Sequence, residues 1–133
     1  MPTLARSNAA SLNLIDSKTH GIVDYCHAAF FFTVGFICLR SNKRAAAASL
    51  ATGSFVLVQS LLTDYPVGVN RVLPFATHGS IDAIFAASSW LVPHLFGFAG
   101  TAPAHIFDGN SIVEATAVAL TDWDSKRAHD AGR

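Results

Sequence analysis

Charge is scarce in this chain, and what there is cancels. Nine basic and nine acidic side chains among 133 residues make 14% of the sequence charged and leave no net charge. A soluble globular domain carries about 25%. No basic surplus is available to neutralise a phosphate backbone, which argues against a nucleic-acid partner. Cysteine is equally sparse. Cys26 and Cys38 stand twelve apart (38−26) in one apolar run; on a helix that is about 18 Å at about 1.5 Å per residue, beyond disulfide reach. They read as free, buried, small apolar residues. The chain also lacks a Ser/His/Asp or Cys/His nucleophile arrangement and a phosphate-cradling glycine loop, so a non-enzymatic role is expected. Residues 1–18 lack the consolidated apolar core of a cleaved signal: Leu4, Leu12, Leu14 and Ile15 are dispersed among polar residues. They read as a loose or interfacial leader.

Long apolar runs take the place of charge. Residues 21–39, GIVDYCHAAFFFTVGFICL, carry one acid and one histidine; as a helix they span about 29 Å, the thickness of a hydrocarbon core. Arg40, Lys43 and Arg44 end the run, and residues 45–62 follow with no charge at all. A loop from 66 to 77 leads to a third run, 79–98, in which Pro93 is expected to kink or end the helix. The fourth segment, 103–121, is interrupted by Asp108, Gly109, Asn110 and Glu114. It is expected to partner the third helix with a polar or unwound first half, tolerable at membrane depth only inside protein or a wet cavity.

The chain also repeats itself. A shift of 58 positions (78−20, 82−24, 122−64) places Thr19-His20-Gly21 and Asp24 on Thr77-His78-Gly79 and Asp82, and Leu62-Thr63-Asp64-Tyr65 on Leu120-Thr121-Asp122-Trp123, without a gap. A period holding two apolar runs points to two tandem helix hairpins about a pseudo-two-fold axis. The expected architecture is an all-α, four-helix transmembrane bundle over residues 19–123, with repeats 19–65 and 77–123 and a polar tail at 124–133. A soluble helical bundle is the alternative, disfavoured because the second run has no polar face. Basic residues close to helix ends set orientation. The termini are read as cytoplasmic, against the pull of the short loop carrying Arg40, Lys43 and Arg44.

Alternating helix direction brings His20, Asp24, His78, Asp82, Asp64 and Asp122 towards one membrane face. His20 and Asp24 are four apart and share a helix face, and His78 and Asp82 repeat the pair. Acids a turn inside a membrane face the bundle interior and have partners. Two readings stay open. In one, Thr19 and Thr77 cap the first and third helices, and the acids and histidines form a hydrogen-bonded clasp in a structural or accessory membrane component. Partners are then the lipid bilayer and other subunits or a second copy. In the other the cluster is a ligand site. His20 and His78 could hold a haem from both sides, or join Asp24 and Asp82 around a divalent metal. Proton or ion movement along Asp and His, with Glu114 as relay, is a further possibility. Glu114, whose repeat equivalent is Val56, is expected to face the bundle interior. His27 and His94 read as core histidines, His105 as a loop residue and His129 as a tail residue.

The segment Thr77-His78-Gly79-Ser80-Ile81-Asp82, with Ser88-Ser89-Trp90-Leu91 and Leu95-Phe96-Gly97-Phe98-Ala99 after it, resembles the small bacterial membrane proteins with SPW repeats. Residues 112–121, which carry Glu114, are similar to that family's closing helix. The likeness covers roughly residues 18–123. Ser89 stands where the family has proline, Pro93 follows instead, and the first repeat lacks the tryptophan motif. The resemblance implies a multi-span protein of a bacterial inner membrane and brings no activity with it.

Overall fold

A computed structural model describes residues 12–125. Of the leader expected at 1–18, residues 1–11 lie outside the described residues, as do 126–133 of the tail expected at 124–133, His129 included; Ser17 and Lys18 belong to the first helix. Helix α1, Ser17–Cys38, starts at Asp16, whose Oδ1 accepts the Thr19 N–H at 2.7 Å. A tight turn leads to α2, Lys43–Leu62, capped by Asn42 accepting the Ala45 N–H at 3.0 Å. Helix α3, Phe75–Ser88, follows Pro74 and has no side-chain cap. The caps expected at Thr19 and Thr77 are therefore corrected: both threonines sit inside the first turn, because Asp16 and Pro74 already occupy the boundaries.

Pro93 bends the third run as expected. It cannot donate to the ladder, and the chain passes through a single 3-10 turn, Ser89–Leu91, into α4, Val92–Phe96. The freed Trp90 N–H donates to Ser111 Oγ at 3.1 Å, and Asn110 Nδ2 donates to Ser89 Oγ at 3.1 Å. Helix α5, Ala104–Leu120, supplies both groups. It is helical from its first turn, so the unwound first half expected of the fourth segment is corrected. Of the polar residues that suggested it, Asn110 satisfies the bend opposite and Glu114 pairs with His27.

The four rods, α1, α2, α3 with its bent extension, and α5, pack as an all-α bundle. Helices α1 and α2 lie against each other along their lengths, and α3 lies on α5. The apolar core occupies the end that carries the basic loop, where Phe31, Phe98 and Phe107 meet with ring centroids 5.2 and 5.6 Å apart. Ala45, Ala46, Ala48 and Ala104 let the helices close around them. Cys38 joins this core, but Cys26 is exposed, which corrects its expected burial; both cysteines are free.

Elsewhere the polarity runs outward-apolar. Ile37 (73% exposed), Leu95 (79%), Ile84, Phe36 and Ile112 face outward, while Ser60, Thr63, Gln59, His20, His78, Asn110 and Glu114 are buried. Hydroxyls on the outer surface, those of Thr33, Ser54, Ser80 and Thr116, each donate to the carbonyl four residues back. Helices α1 and α2 are long and apolar enough to cross a membrane. Helix α3 stops after 14 residues and α5 has 17, so two of the four expected spans meet that measure.

Candidate metal centre

The end of the bundle opposite the apolar core is polar and buried. His20 and Asp24 reach it from the first turns of α1, and His78 and Asp82 from those of α3, all at most 8% exposed. Each pair spans one helical turn, so its two side chains point the same way. Ligating atoms of all four lie within 4.8 Å of one another.

Two threonines orient the imidazoles. Helices α2 and α5 end in extended backbone at Thr63 (ψ 138) and Thr121 (ψ 132). Thr63 Oγ1 donates to the Gln59 carbonyl at 2.6 Å and Thr121 Oγ1 to the Ala117 carbonyl at 2.6 Å. A hydroxyl has one proton. Each oxygen must therefore accept from the histidine beside it, His78 Nδ1 at 2.7 Å and His20 Nδ1 at 2.8 Å. With Nδ1 protonated, a neutral imidazole presents its Nε2 lone pair, and both Nε2 atoms point at the carboxylates. His20 Nε2 lies 3.1 Å from Asp82 Oδ2 and 3.4 Å from Asp24 Oδ1. His78 Nε2 lies 3.0 Å from Asp82 Oδ2 and 3.3 Å from Asp24 Oδ2, yet it is aligned for a hydrogen bond with neither.

The carboxylates are held in turn. Tyr65 Oη donates to Asp24 Oδ2 at 3.0 Å, and Gln59 Nε2 donates to Asp82 Oδ1 at 2.9 Å. Tyr65 is fully buried; burial, with the Asp24 charge added, pushes its phenol well above the ordinary tyrosine range, so it remains a donor. Phe75 and Trp123 cover the outer end, with Trp123 5.0 Å from the His20 ring and 4.8 Å from Phe75. Gly21 admits Val67 and the Tyr65 ring, and Gly79 the Trp123 ring: a Cβ at Gly21 would stand 2.9 Å from Tyr65 and one at Gly79 2.8 Å from Trp123.

Four of the six residues expected to converge therefore do so: His20, Asp24, His78 and Asp82. Asp64 and Asp122 do not belong to that group. Each follows a threonine in extended backbone, where successive side chains point to opposite sides, so the threonine faces inward and the acid does not. The backbone N–H groups of these acids instead tie helix ends together, Asp64 to the Leu73 carbonyl at 2.7 Å and Asp122 to the Ile15 carbonyl at 2.8 Å. Thr63, Thr121, Gln59 and the hydroxyl of Tyr65 are site residues that sequence reasoning missed; a threonine repeated at equivalent positions, beside repeated histidines, was the available signal.

Glu114 faces the interior, as expected, but at a second site. Its Oε1 lies 2.7 Å from His27 Nδ1, and His27 Nε2 lies 2.7 Å from Asn110 Oδ1. His27 is thus a bridging residue between α1 and α5. His94 is exposed in the last turn of α4, which corrects its expected core position, and His105 is exposed within the first turn of α5 instead of in a loop. Haem between the histidines is also corrected. The rings are 5.2 Å apart at 81° and converge on one carboxylate oxygen, leaving no slot for a porphyrin.

The four donors are of the types and proximity that could hold a divalent ion. A tetrahedral ion with about 2.0–2.1 Å bonds to imidazole nitrogen and carboxylate oxygen needs donors about 3.3 Å apart. The four nitrogen–oxygen separations are 3.0, 3.1, 3.3 and 3.4 Å, the last two to different oxygens of Asp24, and one donor atom from each residue makes a set within 4.8 Å, so an ion would have to draw the donors together. No family model matches the chain, and neither a curated protein nor a solved structure matches it.

Proposed function

We propose that this chain is an integral membrane protein that binds one divalent transition-metal ion of the zinc class through His20, Asp24, His78 and Asp82. The observation that carries it is the pair of threonine-oriented imidazoles. With both Nδ1 protons committed to Thr63 and Thr121, two Nε2 atoms and two carboxylates face one another in a buried space. Bare lone pairs there would repel; a proton on Nε2, as the His20 Nε2–Asp82 Oδ2 hydrogen bond requires, or a shared cation removes the conflict. Histidine nitrogen and carboxylate oxygen are accepted zinc donors, and the hydrogen bonds from outside the donor set are those that orient metal-bound imidazoles and carboxylates. All four positions come from the protein, which suits a held ion better than an open catalytic one.

Membrane residence rests on inverted polarity. A water-facing surface of Ile37, Leu95 and Ile84, around an interior of histidine, serine, threonine and acid, would be costly; lipid reverses the sign. In this reading α3 with its bent extension and α5 are the third and fourth spans. The two-hairpin duplication belongs to the same proposal. Supporting it, Thr63–His78 and Thr121–His20 are equivalent contacts under the 58-residue shift (63+58, 78−58). So are the Asp64–Leu73 and Asp122–Ile15 backbone bonds (64+58, 73−58). The likeness to SPW-repeat proteins remains a proposal of the same standing.

The test is metal titration of the purified, chelator-stripped protein in detergent. One zinc ion per chain is expected, with thermal stability raised by zinc, and both effects lost in His20→Gln and His78→Gln. A folded wild-type chain that takes up no zinc, manganese, iron or cobalt, and is indifferent to chelator, overturns the reading. The centre is then a clasp of imidazolium and carboxylate, the role of a structural membrane component.

A further inference from the structure

The polar centre has two flanks, and they are filled differently. On the α2/α3 flank, Gln59 Nε2 donates to Asp82 Oδ1 at 2.9 Å, and Phe55 and Phe85 pack with ring centroids 5.9 Å apart. The positions a 58-residue shift away on the α1/α5 flank are Ala117 (59+58), Val113 (55+58) and His27 (85−58). Every filler has been exchanged for something smaller or more polar. Between α1 and α5 lies a cavity of about 520 Å³ bordered by Asp24, His27, Val113, Glu114 and Ala117. That volume is within the range of small-molecule sites, about 300–1,000 Å³.

The cavity has an apolar wall and an acidic floor. Phe30, Val23 and Val113 line it and are exposed towards the bundle's outer surface, so it is reached sideways, between helices. Asp24 and Glu114 are each 8% exposed. His27 is engaged on both ring nitrogens, by Glu114 and Asn110. Helix α5 carries no lysine or arginine, and α1 carries one, Lys18, at its start. Among the described residues an anion would meet two carboxylates there and, in His27, a ring whose two nitrogens are already spent on Glu114 and Asn110, whereas a nitrogen donor would find Asp24 and the second oxygen of Glu114.

We propose that this cavity binds a small lipophilic amine drawn from the bilayer, with its N–H donors on Asp24 and Glu114 and its apolar body against Val113 and Phe30. The chain contains its own template for this ligand. On the opposite flank Gln59 supplies an N–H to Asp82, the counterpart of Asp24, and Phe55 supplies the apolar body beside it. The amine supplies both from outside. The inference rests on the membrane reading above and shares Asp24 with the proposed metal site, but the cavity and its filling carry it whether or not an ion is bound; Val113 and Ala117 belong to neither donor set.

The experiment is calorimetric titration of the full chain in lipid nanodiscs with 4-phenylbutylamine, with 4-phenylbutyrate and butylbenzene as controls. The deciding variant is Ala117→Gln with Val113→Phe, which rebuilds on this flank the plug that Gln59 and Phe55 make on the other. Expected are saturable one-to-one binding of the amine to the wild type, none of the carboxylate, and at least about a tenfold loss in the double variant. Helicity and zinc uptake of that variant should match the wild type, so a failure of the metal reading would be seen separately. Val113→Phe alone takes its place if the double variant does not fold. The proposal is overturned if the amine binds the plugged variant as tightly as the wild type, if the carboxylate or the hydrocarbon binds equally well, or if the wild type shows no saturable binding.

Discussion

His20 and His78, from two different helices, present their Nε2 atoms to the same carboxylate oxygen, Asp82 Oδ2, at 3.1 and 3.0 Å. Neither ring is free to turn away, because its Nδ1 is held by a threonine whose own proton is already spent on a backbone carbonyl. Burial makes the arrangement consequential. At 3% and 1% exposure, water does not dilute the interaction between the rings and the acids.

The threonines are therefore expected to set metal affinity without binding metal. Thr63→Val and Thr121→Val remove the acceptor for Nδ1 while keeping the branched shape. Each should weaken zinc binding by about 10–100-fold, the usual effect of losing a group that orients a metal-bound imidazole. Serine at either position should restore most of it. Calorimetric zinc titration of the four variants decides the matter; equal affinities would show that the threonines only terminate their helices.

Glu114 and the half-buried His27 pair at 2.7 Å, and two substitutions at Glu114 should differ in effect. Glu114→Gln keeps an acceptor for the imidazole and should stay close to wild-type stability. Glu114→Leu leaves His27 Nδ1 without a partner inside the bundle, at a cost of about 1–3 kcal/mol. Thermal unfolding in detergent separates them. A leucine variant as stable as the wild type would mean that the pair contributes nothing to the fold.

Small residues under the aromatic cover should be intolerant. A Cβ at Gly79 would stand 2.8 Å from the Trp123 ring, closer than real contacts allow. Gly79→Ala is expected to displace the indole and destabilise by about 1–3 kcal/mol, as overpacking does. Tryptophan fluorescence should shift with it, since Trp123 covers His20. Gly109→Ala, where an added Cβ meets nothing within 4 Å, is the matched control.

One pH effect lies outside the spans. Asp16 is held below its ordinary 3.8 by the Thr19 backbone N–H, first, and by the Thr19 hydroxyl. A depressed carboxylate stabilises the fold above the unfolded value and loses that contribution as pH falls through the folded one. The start of α1 should accordingly loosen below about pH 4, seen as faster amide exchange at Thr19 and His20. Asp16→Asn, a cap without charge, should abolish this pH dependence and keep the helix start. Unchanged pH dependence in that variant would assign it to another group.

Residence in the bilayer predicts that the expressed chain stays with the membrane pellet through alkaline carbonate and leaves it in detergent. A soluble monomer recovered without detergent would contradict the outward-facing Ile37, Leu95 and Ile84 being lipid contacts.

The helices were legible because their causes are local. Apolar runs bounded by Arg40 and Pro66 say where chain can lie in lipid, and Pro93 says where it must bend. The His-x-x-x-Asp spacing puts each pair on one face whatever surrounds it. Gln59 was not legible, since its repeat equivalent is Ala117 and a search for matched residues passes over it. Spacing and repetition mark Asp64 for the cluster and give Thr63 beside it no role. Sequence alone does not say at which residue the helix gives way to extended backbone, and a one-residue difference there exchanges which side chain faces the site.

By itself, then, the sequence determined the first two helices and their apolar lengths, the bend at Pro93, the two His/Asp pairs and the end of the bundle they share. Each depends on spacing along one chain segment. Tertiary structure decided the rest: that the two pairs meet within 4.8 Å, that threonines assign the imidazole protons, that the rings lie too close for haem, and that one flank is plugged while the other is hollow. Those properties depend on how closely separate helices approach. Gly53 lets α2 approach the α1 backbone at Ala28, and Gly21 and Gly79 admit Tyr65 and Trp123, contacts between residues far apart in sequence that no local spacing encodes.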